Sequence, residues 1–196
     1  MVKHKIMTTE QHPLSPFLPA GARVLMLGSF PPKRERWSME FFYPNWQNDM
    51  WRIWGYIYHG DKHYFEVAGE RRFDKQRVMR FCQEHGIALY DAACQVRRLQ
   101  DNTSDKFLEI MQATNIAALL EQMPHCQAIV ATGQKAVEII SALFSCEVPR
   151  VGESKEIAVQ DRHLSLWRMP SSSRAYPLAL EKKAESYAYM AQVLEL

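Results

Sequence analysis

The chain has 196 residues, 47% of them hydrophobic and 23% charged, with a formal net charge of +2 at neutral pH. That length suits one domain with a real core, and the composition excludes a protein that is disordered over long stretches. The near balance of charge excludes a generally basic nucleic-acid coat but allows a local basic face, and no apolar run approaches the roughly 20 residues of a membrane span.

Residues 1–20 are polar, carry prolines and lack an apolar signal core. They read as an N-terminal arm on a single domain covering 1–196, expected in the cytoplasm and associated with the nucleoid if the source is bacterial. Cys82, Cys94, Cys126 and Cys146 show no C-x-x-C spacing and no nearby His pair, so reduced, mostly buried thiols are expected. An iron–sulfur cluster needs tighter ligand grouping.

The first predicted strand is 23–27, an apolar run ending at Gly28-Ser29-Phe30-Pro31-Pro32. Glycine lets backbone approach a ligand and the prolines fix the path of the loop. A basic loop with Lys33, Arg34 and Arg36 follows, and then Phe41, Phe42, Tyr43, Asn45, Trp46, Gln47, Asn48 and Asp49. Aromatic faces beside amide side chains suit a flat, polar-edged ligand such as a nucleobase. Helical spacing predicts a helix over 48–58, with Asn48 or Asp49 at its start. Residues 59–73 read as an exposed loop. Asp74 is a candidate cap for a helix over 75–85, stopped by Gly86.

A second buried strand is predicted over 87–91, ending in Asp91, which either binds a ligand or ties down a loop. Residues 92–102 look irregular and carry Arg97 and Arg98. A short helix is expected from Ser104 or Asp105 to about 112, and another, capped by Asn115, through 122. The third strand is 128–131. It leads through Thr132-Gly133 into a helix with Ala136, Val137, Ile140, Leu143 and Phe144 on one face. Residues 156–160 suggest a small extra strand, and 164–169 the fourth main strand. That strand ends at Pro170-Ser171-Ser172-Ser173-Arg174, before a final helix over 178–194.

Strands that alternate with helices predict an α/β fold: a three-layer α/β/α sandwich around a central, mostly parallel four-stranded sheet. Ligands bind such sheets beyond the carboxyl ends of the strands. The loops there, at 28–48, 91–105, 132–133 and 170–176, hold nearly all the unusual chemistry. Of Lys33, Arg34, Arg36, Arg97, Arg98, Arg168 and Arg174, most fall on loops at that rim, as contact with DNA phosphates would require. His59 and His63 have metal-ligand spacing, but Gly60 breaks the helix between them, and a solvated loop is the expected reading. The serines after Pro170 lack a nucleophile elbow and a His–acid partner.

Gly28-Ser29-Phe30-Pro31, then Tyr43, then Asn48-x-x-Trp51 together resemble the uracil-DNA glycosylase superfamily. The nearest likeness is to its mismatch-specific and hypoxanthine-DNA glycosylase branch. The likeness continues in order through 86–91, Ser104-Asp105, 132–136 and 170–173, and spans about residues 23–190. It implies an enzyme, a monofunctional DNA N-glycosylase of base-excision repair. Such an enzyme flips hypoxanthine or uracil out of double-stranded DNA and hydrolyses its glycosidic bond, as a monomer without metal or organic cofactor and without a membrane. In much of the superfamily the third residue of the first motif is a water-holding Asp or Asn; here it is Phe30. In the hypoxanthine branch the asparagine of N-x-x-W is implicated instead, which makes Asn48 the candidate catalytic residue, whether or not it also caps the helix.

The same resemblance implies that Tyr43 stacks on the base, with its neighbours Phe42 and Phe41 as the alternatives for that role, and that Gly28, Ser29, Phe30, Phe42, Tyr43 and Asp91 form the substrate site. Where the branch usually has H-P before the asparagine, this chain has Asn45-Trp46-Gln47. Pro170, Ser171, Ser172, Ser173 and Arg174 match the loop that presses on the DNA backbone, with Arg174 filling the gap in the stack or binding phosphate. Phe30 also keeps open a non-catalytic, damage-binding member of the same fold. A third alternative is an enzyme acting on free nucleosides.

Overall fold

The computed structural model describes residues 8–99 and 107–196. Its centre is a five-stranded sheet built from β2 (Val24–Gly28), β3 (Ile87–Asp91), β6 (Ala128–Thr132), β7 (Ser154–Val159) and β8 (Arg162–Met169), ordered β3-β2-β6-β8-β7. The first four strands in that order run parallel, and β7 pairs antiparallel with β8. The sheet thus has one strand more than the predicted four, because the expected small strand near 156–160 joins its edge. β2, β3 and β6 are buried along their whole length. Strands covered on both faces read as unbroken apolar runs. Val24, Leu25, Met26 and Leu27 are all 0% exposed, and each such burial contributes ~1.5–3 kcal/mol.

The helices are α1 (Met50–His59), α2 (Lys75–Glu84), α3 (Ile116–Glu121), α4 (Gln134–Leu143) and α5 (Leu180–Val193). Crossovers between parallel strands are right-handed. The step from β2 to β3 runs opposite to the steps from β3 to β6 and from β6 to β8. Right-handed connections therefore put α1 and α2 on one face and α3 and α4 on the other. α5 joins α1 and α2: Trp54 meets Phe81 at 5.7 Å and Tyr187 at 5.8 Å between ring centroids. Asp74 and Asn115 cap α2 and α3, accepting from Arg77 N and Ala118 N. The loop between α1 and α2 is less exposed than its sequence suggests, since Phe65 and Phe73 are 0% and 1% exposed and pin it to the core. His59 is the last residue of α1 and stacks on Tyr64.

A second, antiparallel sheet was not expected. It orders β1 (Thr9–Gln11), β4 (Ala93–Arg98) and β5 (Leu108–Ala113) as β1-β4-β5. The region predicted as irregular after 92 is therefore strand β4, and the predicted helix toward 112 is strand β5; its proposed start at Ser104 or Asp105 lies outside the described residues. The physical reason is alternation. Val96, Leu108 and Ile110 turn inward onto Ala93 and Phe30 and form a small separate core, while Arg97 and Glu109 pair across the outer face at 3.1 Å. The arm is not a free tail in its described part, because β1 pairs Glu10 with Val96 and Gln11 with Gln95.

Candidate functional site

The register of the central sheet places Gly28 beside Asp91 at the carboxyl ends of β2 and β3. The approach is close: a Cβ on Gly28 would lie 2.6 Å from Asp91 Oδ1 and 3.7 Å from the Tyr43 ring. Tyr43 reaches this point with φ of +50°, the left-handed region that a non-glycine residue adopts only under constraint. Its hydroxyl donates to Thr132 Oγ1 at 2.9 Å, and Thr132 donates on to Leu27 O. Burial raises the Tyr43 phenol pKa well above the usual tyrosine range, and the charge of Asp91 adds to the effect. Ser29 and Phe30 follow, both buried, and their backbone N–H groups meet no acceptor among the described residues.

Asn48 lies at the start of α1, where its Oδ1 accepts from Met50 N at 2.9 Å. That bond fixes which side-chain atom is oxygen, and it leaves Nδ2 without an acceptor among the described residues. The backbone of Asn48 forms an antiparallel bridge with Ser173, and Asp49 N donates to Ser172 O at 2.8 Å. The asparagine segment and the serine loop are thus stitched together. Behind the stitch is a cluster of charges. Asp49 Oδ1 accepts from Arg174 Nε at 2.9 Å, and its Oδ2 is 3.6 Å from Lys183 Nζ, whose side chain is 1% exposed. Lys183 also donates to Ser173 O at 2.8 Å. Burial lowers the Lys183 pKa, opposed by the Asp49 charge. Arg52 bonds Glu66, Trp46 O and Asn48 O, which locks the backbone around the asparagine.

The third part comes from the arm. His12 Nε2 is 2.8 Å from Asp91 Oδ2, and its imidazole, 2% exposed, packs against Tyr90, Phe30 and Phe42. Arg98, 6% exposed, bonds Glu10 and Pro31 O and lies over the Phe30 ring at 5.7 Å. It clamps the arm to the first loop. Next to this clamp a cavity of about 310 Å³ is lined by Glu10, Phe30, Pro31, Lys33, Arg34 and Arg98, among others.

The residues singled out in the sequence therefore fall into three groups. Asp91 Oδ1 and the Tyr43 ring both flank Gly28, 2.6 and 3.7 Å from where its Cβ would stand, and Gly133, after Thr132, lies against the side chain of Ser171, where its absent Cβ would be 3.6 Å from Ser171 Cβ. Asn48 joins through Ser173. Lys33 and Arg34 border the neighbouring cavity. The side chains of Phe30 and Phe42 turn into apolar packing, Phe30 with the small core and Phe42 against Phe41 and Tyr90. Pro170 and Ser172 are buried, and their carbonyls accept from Tyr187 and Asp49. Of the basic rim, Arg97, Arg98 and Arg174 are held by Glu109, Glu10 and Asp49, and Arg168 by Gln134 and Pro149 O. His12 was missed. Its only signal was a polar residue before Pro13 in a stretch that looks like a tail.

No protein-family model matches the sequence, and no curated protein does. Among solved structures the chain resembles the solution NMR structure of a protein from Methanosarcina acetivorans named as a candidate uracil DNA glycosylase. The two share 18% identity and a TM-score of 0.63 over 96% of this chain and 100% of that one. The chain has the mixed α/β fold of that protein, a central sheet flanked by helices.

Proposed function

We propose that this chain is a DNA glycosylase of the uracil-DNA glycosylase superfamily, of its mismatch-specific and hypoxanthine-directed branch. The reaction is removal of a deaminated or mismatched base, hypoxanthine or uracil, from double-stranded DNA. The observation that carries it is the convergence at one end of the parallel sheet: Asp91 and Tyr43 flanking Gly28, with Asn48 stitched to the serine loop. Open α/β sheets bind ligands at that end, and the fold shared with the M. acetivorans protein supports the reading.

The chemistry follows from the donors and acceptors present. Extruding a nucleotide costs a few kcal/mol, least at a mismatch. Tyr43 offers the aromatic surface beside Gly28, and the carboxylate of Asp91 accepts from the base edge. Cleavage breaks the bond between C1′ and the base nitrogen, with the electron pair leaving on the base. The Ser29 and Phe30 N–H groups are suited to that developing negative charge, as donors of an oxyanion hole are. Asn48 Nδ2 holds either the attacking water or a base oxygen. The water oxygen bonds to C1′, and its proton ends on the released base. The ammonium of Lys183 is engaged by Ser173 O and Asp49, so it is not a free amine for a lyase step. Ser171 and Ser173, half-buried, face the DNA backbone, and so does the exposed Arg34, whose pair with Glu40 is itself on the solvated surface.

The test is release of free base from duplexes containing hypoxanthine or uracil. Asn48→Ala should abolish release while costing only ~1 kcal/mol of stability from the lost bond between its Oδ1 and Met50 N. Phe30 favours the second reading, a damage-binding protein without turnover. A wild type that binds damaged duplex and never releases base would establish it.

A further inference from the structure

The strongest feature outside the expected motifs is the pair formed by His12 and Asp91. The histidine comes from the arm, 79 positions away in sequence, and its Nε2 meets Asp91 Oδ2 at 2.8 Å. Its Nδ1 lies 3.1 Å from Leu14 N and 2.9 Å from Leu14 O. A neutral ring accepts from Leu14 N at Nδ1, and a charged ring donates from Nδ1 to Leu14 O. In both states Nε2 carries a proton and donates it to Asp91. The backbone fixes the position of the residue, since His12 N donates to Cys94 O at 2.9 Å.

One carboxylate oxygen is therefore occupied and aimed. The other, Oδ1, faces Gly28, where no Cβ intervenes, beside the Tyr43 ring. It receives no hydrogen bond among the described residues. An acceptor held in that place needs a donor from a ligand. Deamination supplies one: it turns a ring nitrogen that accepts into a ring N–H beside a carbonyl, in purine and pyrimidine alike. Hypoxanthine N1–H and uracil N3–H both present it, whereas adenine and cytosine present a lone pair that repels a carboxylate.

Resting on the glycosylase reading, we infer that His12 is a positioning residue: it holds Asp91 so that Oδ1 selects bases with a lactam or imide N–H. The small antiparallel sheet delivers it, so the arm is part of the recognition site.

The test is a double-mutant cycle on full-length protein with duplexes carrying hypoxanthine or adenine opposite guanine, mismatched in both. His12→Leu removes the donor, and His12→Gln keeps one. His12→Leu should narrow the hypoxanthine-over-adenine ratio in kcat/KM by roughly tenfold or more, as loss of an orienting partner does for metal ligands. His12→Gln should retain most of it, and in an Asp91→Asn background His12→Leu should change nothing further. Effects that multiply, or a ratio that stays at the wild-type value, overturn the inference. A wild type that releases no base refutes the glycosylase reading separately, and the same cycle is then read in Kd, where absence of discrimination or coupling overturns the role of His12. If His12→Leu does not fold, ring 15N NMR of the wild type decides: a proton on Nε2 is expected, and a neutral ring protonated at Nδ1 overturns the inference.

Discussion

Gly28→Ala tests the geometry of the site with a single methyl group. Gly28 is not among the residues with positive φ, so alanine meets no backbone penalty there. What remains is collision, because the new Cβ would sit 2.6 Å from Asp91 Oδ1 and 3.7 Å from the Tyr43 ring. The carboxylate cannot simply swing away, since its other oxygen is bonded to His12. Overpacking of this kind costs ~1–3 kcal/mol, and for a chain of this length each kcal/mol lowers Tm by roughly 2–4 °C. The melting temperature should therefore fall by about 2–12 °C. Moving Asp91 and Tyr43 by about 1 Å should reduce base release on the order of 10²-fold. Calorimetry and a base-release assay on the same preparation read both quantities. A variant that melts and turns over like the wild type would refute the placement of Asp91 and Tyr43 over Gly28.

Asp49→Ala should cost ~3–5 kcal/mol, since it leaves the buried Lys183 ammonium without its counter-charge; denaturant unfolding measures the loss, and Lys183→Met should recover part of it in the double variant. Phe30→Asn should not improve base release, because that side chain packs with Ala93, Val96 and Leu108 rather than in the ligand space; it should cost ~3–5 kcal/mol of core packing, and a gain in activity would contradict this. Stability should fall at alkaline pH. Burial raises the phenols of Tyr43 and Tyr187, so above pH ~10 the unfolded chain loses these protons and the folded chain keeps them. The folded state then binds more protons, and its advantage shrinks as pH rises. Urea midpoints from pH 8 to 11 should show the decline, and Tyr187→Phe should flatten it.

Much of the central layer was legible because its strands are buried on both faces. Val24 to Leu27 and Ile129 to Ala131 are apolar at every position, and Asp74 and Asn115 announce their helices through short-range caps. The antiparallel sheet was not legible for the opposite reason. Arg97 and Arg98 make β4 look like a polar connection, Glu109 and Gln112 let β5 pass for the end of a short helix, and only a partner strand brings their few inward residues into one core. The site divides in the same way. Gly28, Tyr43, Asn48 and the serines stand out locally, whereas His12, Asp49 and Lys183 acquire meaning only from residues far along the chain. The basic rim shows the limit of counting charges: Arg98 and Arg174 look in sequence like cations free to meet DNA, but each carries an acidic partner.

The stitch between Asn48 and Ser173 has a consequence for how the molecule opens. Asp49 and Arg174 are 125 positions apart and His12 and Asp91 79, so the bonds that close the rim each tie off a long loop. The ordering cost of those loops falls on a few polar contacts rather than on the apolar sheet. Rim and sheet should therefore differ in protection. Amide exchange at Asp49 and His12 can proceed by separating the serine loop or the arm, while exchange in β2 and β6 waits for the whole fold to come apart.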